Sequence, residues 1–130
     1  MKSSNLKYVT LHNLTRPRPR PFVAQYCSSF FCRLRGLMFR RELPSEQGIL
    51  LVQSRDSRAD SSIHMLFMWM DIAVVWINNA GEVVDTCLAR RWRPAYFSKS
   101  PARYVLEMST QYLNDFQIGD KVRFEEAWVD

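Results

Sequence analysis

The chain has only four glycines and two histidines, and no acidic residue precedes Glu42. With so few glycines, neither a GxGxxG nor a GxxxxGK[ST] phosphate loop occurs, and no serine sits in a GxSxG elbow. The common nucleotide cradles and the hydrolase nucleophile elbow are therefore excluded. The cysteines are Cys27, Cys32 and Cys87, an odd number without CxxC or paired spacing. That pattern suggests neither a disulfide framework nor a zinc site, and it reads as three small buried hydrophobes in a reducing compartment. No window approaches eighteen uncharged apolar residues, which excludes a transmembrane helix. The opening "MKSSNLKYVTLHNLTRPRPRP" lacks the apolar core of a secretory signal, so a soluble cytoplasmic protein is expected.

What is present points to one domain over residues 1–130: at 47% hydrophobic residues, the chain can bury a core without staples. The net charge of +5 is unevenly spread. Residues 1–41 carry nine Lys or Arg and no acid, whereas residues 42–130 carry nine basic and thirteen acidic residues. Such a block repels itself unless it meets carboxylates elsewhere on the fold or an anionic partner. Fourteen of the eighteen basic residues are arginine, which grips phosphate and carboxylate alike.

Along the chain, "LKYVTLHNL" (6–14) and "FVAQY" (22–26) read as strands joined by "TRPRPRP", an extended loop or anion-binding arm carrying Arg16, Arg18 and Arg20. Ser28 or Ser29 caps a predicted helix through "FFCRLRGLMFRR", with an apolar stripe of Phe30, Phe31, Leu34, Leu37 and Met38 and a basic back. Gly36 within it implies a close backbone approach or an early end. "GILLV" (48–52) reads as a buried strand and "QSRDSRADS" as the longest flexible loop. "IAVVWIN" and "EVVDTCL" form a hairpin across Asn78–Gly81. "RRWRPAYFSKSP" is a loop, "YVLEM" a strand, "TQYLNDF" a short helix and "KVRFEEAWV" a last strand. The fold class is α+β, a mostly antiparallel sheet forming a small barrel-like domain with about two short helices.

"SIHMLFMWM" (62–70) crowds a histidine and three methionines together, which raises the question of copper. On a strand, His64 and Met68 lie about 13 Å apart, too far to share an ion, and Met68 with Met70, at about 6.6 Å, makes a weak pair of soft ligands. The stretch is read as core, and no metal or cofactor is expected. Trp69, Trp76, Trp92 and Trp128, with Tyr96, Phe97 and Tyr104, could line a pocket or stack on bases beside "RRWR", though single tryptophans mostly serve cores.

The string Arg33–Met38 ("RLRGLM") with Leu43-Pro44 and Gly48, then Ser62-Ile63-His64 leading to Phe67-Met68, then Ala102–Glu107 ("ARYVLE") and Ile118-Gly119-Asp120, resembles the family called domain of unknown function 192. The likeness covers roughly residues 5–125. It implies a compact, β-rich, barrel-like domain found in bacteria and archaea, some members carrying an export signal, and it implies no established function. The family's recurrent positions fall on Arg35, Gly36, Met38, Gly48, His64, Met68, Glu107, Gly119 and Asp120. The family's Pro-apolar-Asp segment is replaced here by Asp71, Ile72 and Ala73, which makes Asp71 the candidate stand-in for the missing carboxylate, displaced by about 6.6 Å.

Three functional classes follow. The first and preferred is a non-catalytic module binding a small ligand or a protein segment at a pocket near Arg35, His64, Met68, Asp71 and Glu107. Arg35 and Glu107 are also candidates for a structural ion pair. The second is a nucleic-acid-binding accessory gripping phosphates through Arg16, Arg18, Arg20, Arg90, Arg91 and Arg93. The third is a hydrolase using His64 with a nearby carboxylate, although no activated nucleophile is visible and no catalytic residue is assigned.

Overall fold

The computed structural model describes residues 7–127. Strands β1 (Tyr8–Asn13), β2 (Phe22–Cys27), β3 (Gln47–Ser57), β4 (Ile72–Ile77), β5 (Val83–Ala89), β6 (Ala102–Met108) and β7 (Val122–Ala127) share one sheet in the order β5-β4-β6-β3-β2-β1-β7. Five of its pairings are antiparallel. The exception is β2 with β3, which run parallel because helix α1 (Phe30–Arg35) returns the chain between them. A 3-10 helix, Thr110–Asp115, follows β6. Trp128 and the end of the predicted last strand lie outside the described residues.

The central strands β3, β4 and β6 contain the apolar runs, and every residue of β4 is buried. Alternation sends their side chains to two cores. Leu50, Val75, Leu106 and Met108 join Phe22, Tyr112 and Phe116 on one side. Ile49, Leu51, Val74 and Val105 join Leu37, Ile63, Met65 and Met68 on the other. The sheet's edges approach at one end, where Glu82 bridges Lys121 and the Val83 N–H donates to the Asp120 carbonyl (2.8 Å). No ladder joins β5 to β7 among the described residues.

Several expectations need correction. The predicted helix stops at Gly36, whose φ of +48° suits glycine and whose N–H closes on the Cys32 carbonyl. Its stripe is not a buried face: no residue of α1 is buried, and Phe30, Phe31 and Leu34 are exposed, while Leu37, beyond the helix end, enters the core with half-buried Met38 packed against it. "SIHMLFMWM" is not a strand. Ile63 pairs with Tyr96, but the Met65 N–H then donates to Arg93 O and its carbonyl accepts from Trp92 N–H, which pins the stretch as turns against residues 90–96. Distances that assume a strand therefore do not apply. The loop expected after "GILLV" is partly strand, since β3 runs on to Ser57 and regains β6 at Ala102 past an irregularity.

The cysteine reading also changes. Cys27, at the end of β2, and Cys32, in α1, form a disulfide across a Cα–Cα distance of 5.5 Å, because the two residues between β2 and α1 fold the helix back onto the strand. Cys87 is free and half-buried, and burial together with Asp85 pushes its thiol up to about 11. No helix among the described residues is long and apolar enough to cross a membrane.

Candidate ligand-binding site

A cavity of about 460 Å³ opens between α1 and the 62–68 turns. Leu34, Arg35, Gly36 and Met38 line one side, Ile63, His64, Met65 and Met68 the other, and Leu51 of β3 and Glu107 of β6 also line it. Arg35, His64, Met68 and Glu107, from three distant parts of the sequence, thus meet at one site.

Glu107 is its unusual member. In β6 it pairs with Ile49 on one side and Val74 on the other, and it is 4% exposed. Among the described residues, every fully buried side-chain polar atom has a hydrogen-bond partner. No donor among the described residues reaches the Glu107 carboxyl, which lines the cavity. Burial alone pushes it up to about 8, so it is mostly a neutral acid at pH 7. Two of the four glycines make room for this residue. A Cβ on Gly48 would run into the Glu107 carbonyl, and one on Gly36 would sit 3.4 Å from Glu107 Oε1.

His64 is half-buried and both its ring nitrogens are committed to main chain. Nε2 lies 2.8 Å from the Leu34 carbonyl, and Nδ1 accepts from the Leu66 N–H at 3.2 Å. This geometry selects the neutral Nε2–H tautomer, and it leaves no lone pair for a general base or a metal. The ring ties the end of α1 to the turns and so sets the cavity's width. Among the described residues no group of three or more His, Cys, Asp or Glu side chains is placed to hold an ion.

The expected ion pair between Arg35 and Glu107 is not formed: Arg35 is exposed at the rim, whereas the carboxyl is buried beneath it. Asp71 is not at the cavity. It lies in a separate groove with Arg41 and Arg91, held well below the usual carboxylate range by the Arg91 main-chain N–H (2.9 Å) and then by the Arg91 side chain (3.0 Å). Ala73, the other half of the departure, packs in the core on the sheet face opposite Glu107. Asp71 therefore supplies no carboxylate to this site.

The arginine arm is largely neutralised by the fold's own acids. Arg16 bonds Asp120, Arg18 bonds Glu46 and Asp115 and stacks on Phe22, and Arg20 pairs with Glu46. Arg91 bonds Asp71, whereas Arg90 and Arg93 form no ion pair among the described residues. Sequence reasoning missed Arg33, whose guanidinium spans the Ser28 and Val52 carbonyls beside the cavity. It also placed the aromatics loosely: Trp76 is core, but Trp69 and Trp92 are exposed and in ring contact.

Comparison with known proteins identifies the class. The profile of DUF192, described as an uncharacterised ACR, matches residues 12–124, and the chain belongs to this family. An uncharacterised UPF0127 protein of Thermococcus gammatolerans is 35% identical over 103 residues, 78% of this chain and 65% of that protein. A UPF0127 protein of Pyrococcus furiosus is 29% identical over 86% of this chain and 95% of its own length. The chain spans less of a Thermococcus kodakarensis relative, 48% of its length. Among solved structures, a Sinorhizobium meliloti protein provisionally described as a transcription regulator superposes with a TM-score of 0.80 at 19% identity, covering 95% of this chain and 97% of its own. A Novosphingobium aromaticivorans protein of unknown function gives 0.75 at 18% identity, covering 95% and 89%. At these identities the structural likeness shows the fold alone.

Proposed function

We propose that this protein is a non-catalytic module that binds a small ligand in the cavity beneath α1, with neutral Glu107 as the hydrogen-bond donor that orients it. The observation that carries this reading is a buried carboxyl with no partner among the described residues, at the wall of a cavity. Desolvating such a group costs roughly 1–3 kcal/mol unless something else satisfies it, and a bound acceptor would do so. Leu34, Leu51, Ile63, Met65 and Met68 offer an apolar wall, and Arg35 offers positive charge at the rim. The ligand that fits has an apolar body, a carbonyl, amide or phenol acceptor for Glu107, and room for an anionic end near Arg35. The same reading takes the sheet as a half-closed barrel, its edges joined at Glu82 and Lys121.

An enzymatic reading is less well supported, because His64 has spent both nitrogens. A nucleic-acid reading through the arginine arm is weakened by the carboxylates already bound to it. The test is a thermal-shift screen of acceptor-bearing small molecules on the full chain, followed by calorimetry of any hit against Glu107→Leu, which keeps the volume and removes the donor. Binding should weaken by about tenfold or more in the variant and fade as pH rises through about 8. Ligands that bind wild type and variant equally would refute the assignment.

A further inference from the structure

Phe39, Phe67, Trp92 and Trp69 form a continuous line of rings, with successive centroids 5.6, 5.4 and 5.5 Å apart. All four are close to half-exposed, at 59, 46, 44 and 45%. Three of them hold left-handed backbone, at φ +69°, +60° and +70°, a conformation that bulky residues rarely adopt. Main-chain bonds hold these turns together: the Phe39 N–H donates to Phe67 O, and the Trp92 N–H to Met65 O. The rings are not buried in return, so core packing does not explain this expense of backbone freedom.

The charge around the line is one-sided. Residues 28–41, 62–70 and 90–98, the segments that carry these rings, hold seven arginines and no acid. Two carboxylates adjoin them, Asp71, already bonded to Arg91, and Glu42, beside Arg41 in the same groove, so the arginines remain in excess. Arg40, Arg41, Arg90 and Arg93 form no ion pair among the described residues, and they flank Phe39 and Trp92 in sequence. Two of them belong to the basic first third and two to the 90–93 loop, and no acid among the described residues pairs with any of the four. Exposed Leu34 of α1 is tied to the same turns through the bond between its carbonyl and His64.

We infer that this face docks on an anionic lipid bilayer, its aromatic rings seated at the headgroup level and its arginines on the lipid phosphates. Phe and Trp side chains on turns, ringed by cations whose stems can lie along apolar surface, suit that boundary. The uncompensated charge complements anionic headgroups. Single-stranded nucleic acid fits less well, because stacked bases need open ring faces in a common orientation. Here successive rings meet at 34°, 59° and 78°, and Phe67 and Trp92 each lie between two aromatic neighbours, so the surface is continuous and apolar. The inference does not depend on what occupies the cavity.

The test is co-sedimentation of the full chain with phosphatidylcholine vesicles, with and without phosphatidylglycerol, reading tryptophan emission in the same samples. Association should be at least about tenfold stronger with phosphatidylglycerol and should weaken with salt. Emission should shift to the blue. Phe67→Ser combined with Trp92→Ser, and separately Arg40→Glu combined with Arg93→Glu, should each reduce association about tenfold, with circular dichroism confirming the fold. Quenching of the wild-type emission by bromine-labelled phosphatidylglycerol requires no variant and decides the matter if those chains fail to fold. No preference for anionic vesicles, no quenching, unchanged association in folded variants, or tighter binding of a single-stranded oligonucleotide than of vesicles would each overturn the inference.

Discussion

Replacing Glu107 by glutamine tests the central feature of the site directly. In the folded protein the carboxyl keeps its proton up to about pH 8, whereas in the unfolded chain it releases the proton near its ordinary value of 4.5. Between these limits the folded state binds more protons than the unfolded state, so raising the pH favours unfolding. Below pH 4.5 the group is protonated in both states and imposes no penalty; above 8 it is ionised in both and the penalty is complete. At 1.36 kcal/mol per unit of pKa difference, wild type should lose about 3 kcal/mol through this group between pH 5 and pH 8. Glutamine has nearly the same volume and cannot ionise. Urea unfolding of both proteins across that range isolates the effect, since all other titrating groups cancel in the difference. Glu107→Gln should be the less pH-sensitive protein, overtaking wild type in relative stability as the pH rises. Parallel stability curves would refute the buried, unpartnered carboxyl, and with it the proposed ligand donor.

Other predictions concern the frame. Gly48→Ala forces a methyl group into the β6 main chain at Glu107 and should cost about 3 kcal/mol or more, while Gly119→Ala, with nothing within 4 Å but a φ of +97°, should cost only about 1 kcal/mol; denaturant midpoints separate them. Asp120→Ala removes the acceptor of the Asn13 amide, the Arg16 guanidinium and the Gln117 N–H, a loss of roughly 3 kcal/mol that calorimetric unfolding would detect. Thiol titration of the denatured, unreduced chain should find one thiol, that of Cys87, rising to three after reduction. Because the Cys27–Cys32 loop is short, opening it should cost only about 2 kcal/mol, and a count of three thiols without reductant would contradict the pairing.

Much of the fold could be read locally. "GILLV", "IAVVWI" and "YVLEM" became the central strands because short β-branched runs between turn residues have few other uses. The same rule misled at "SIHMLFMWM", which has strand composition but is bent into turns by bonds from Met65 to residues 92 and 93, a long-range contact that no local pattern records. The disulfide escaped notice because its cysteines lie on two elements whose angle is set only when α1 folds back. His64 and Glu107 were identifiable through family resemblance, but their roles were not. Whether an imidazole is free or a carboxyl unpartnered depends on what three other segments place beside it.

The sequence by itself determined most of the strand content and the excess of positive charge in its first third, since these follow from composition and local pattern. Only the tertiary structure decided where that charge is cancelled. Asp115, Asp120 and Glu46 meet the arginines at 16, 18 and 20, whereas those at 40 and 41 form no ion pair among the described residues. Ion pairing acts over a few ångströms, and the chain brings carboxylates that close only where the sheet's order and the 3-10 helix carry them.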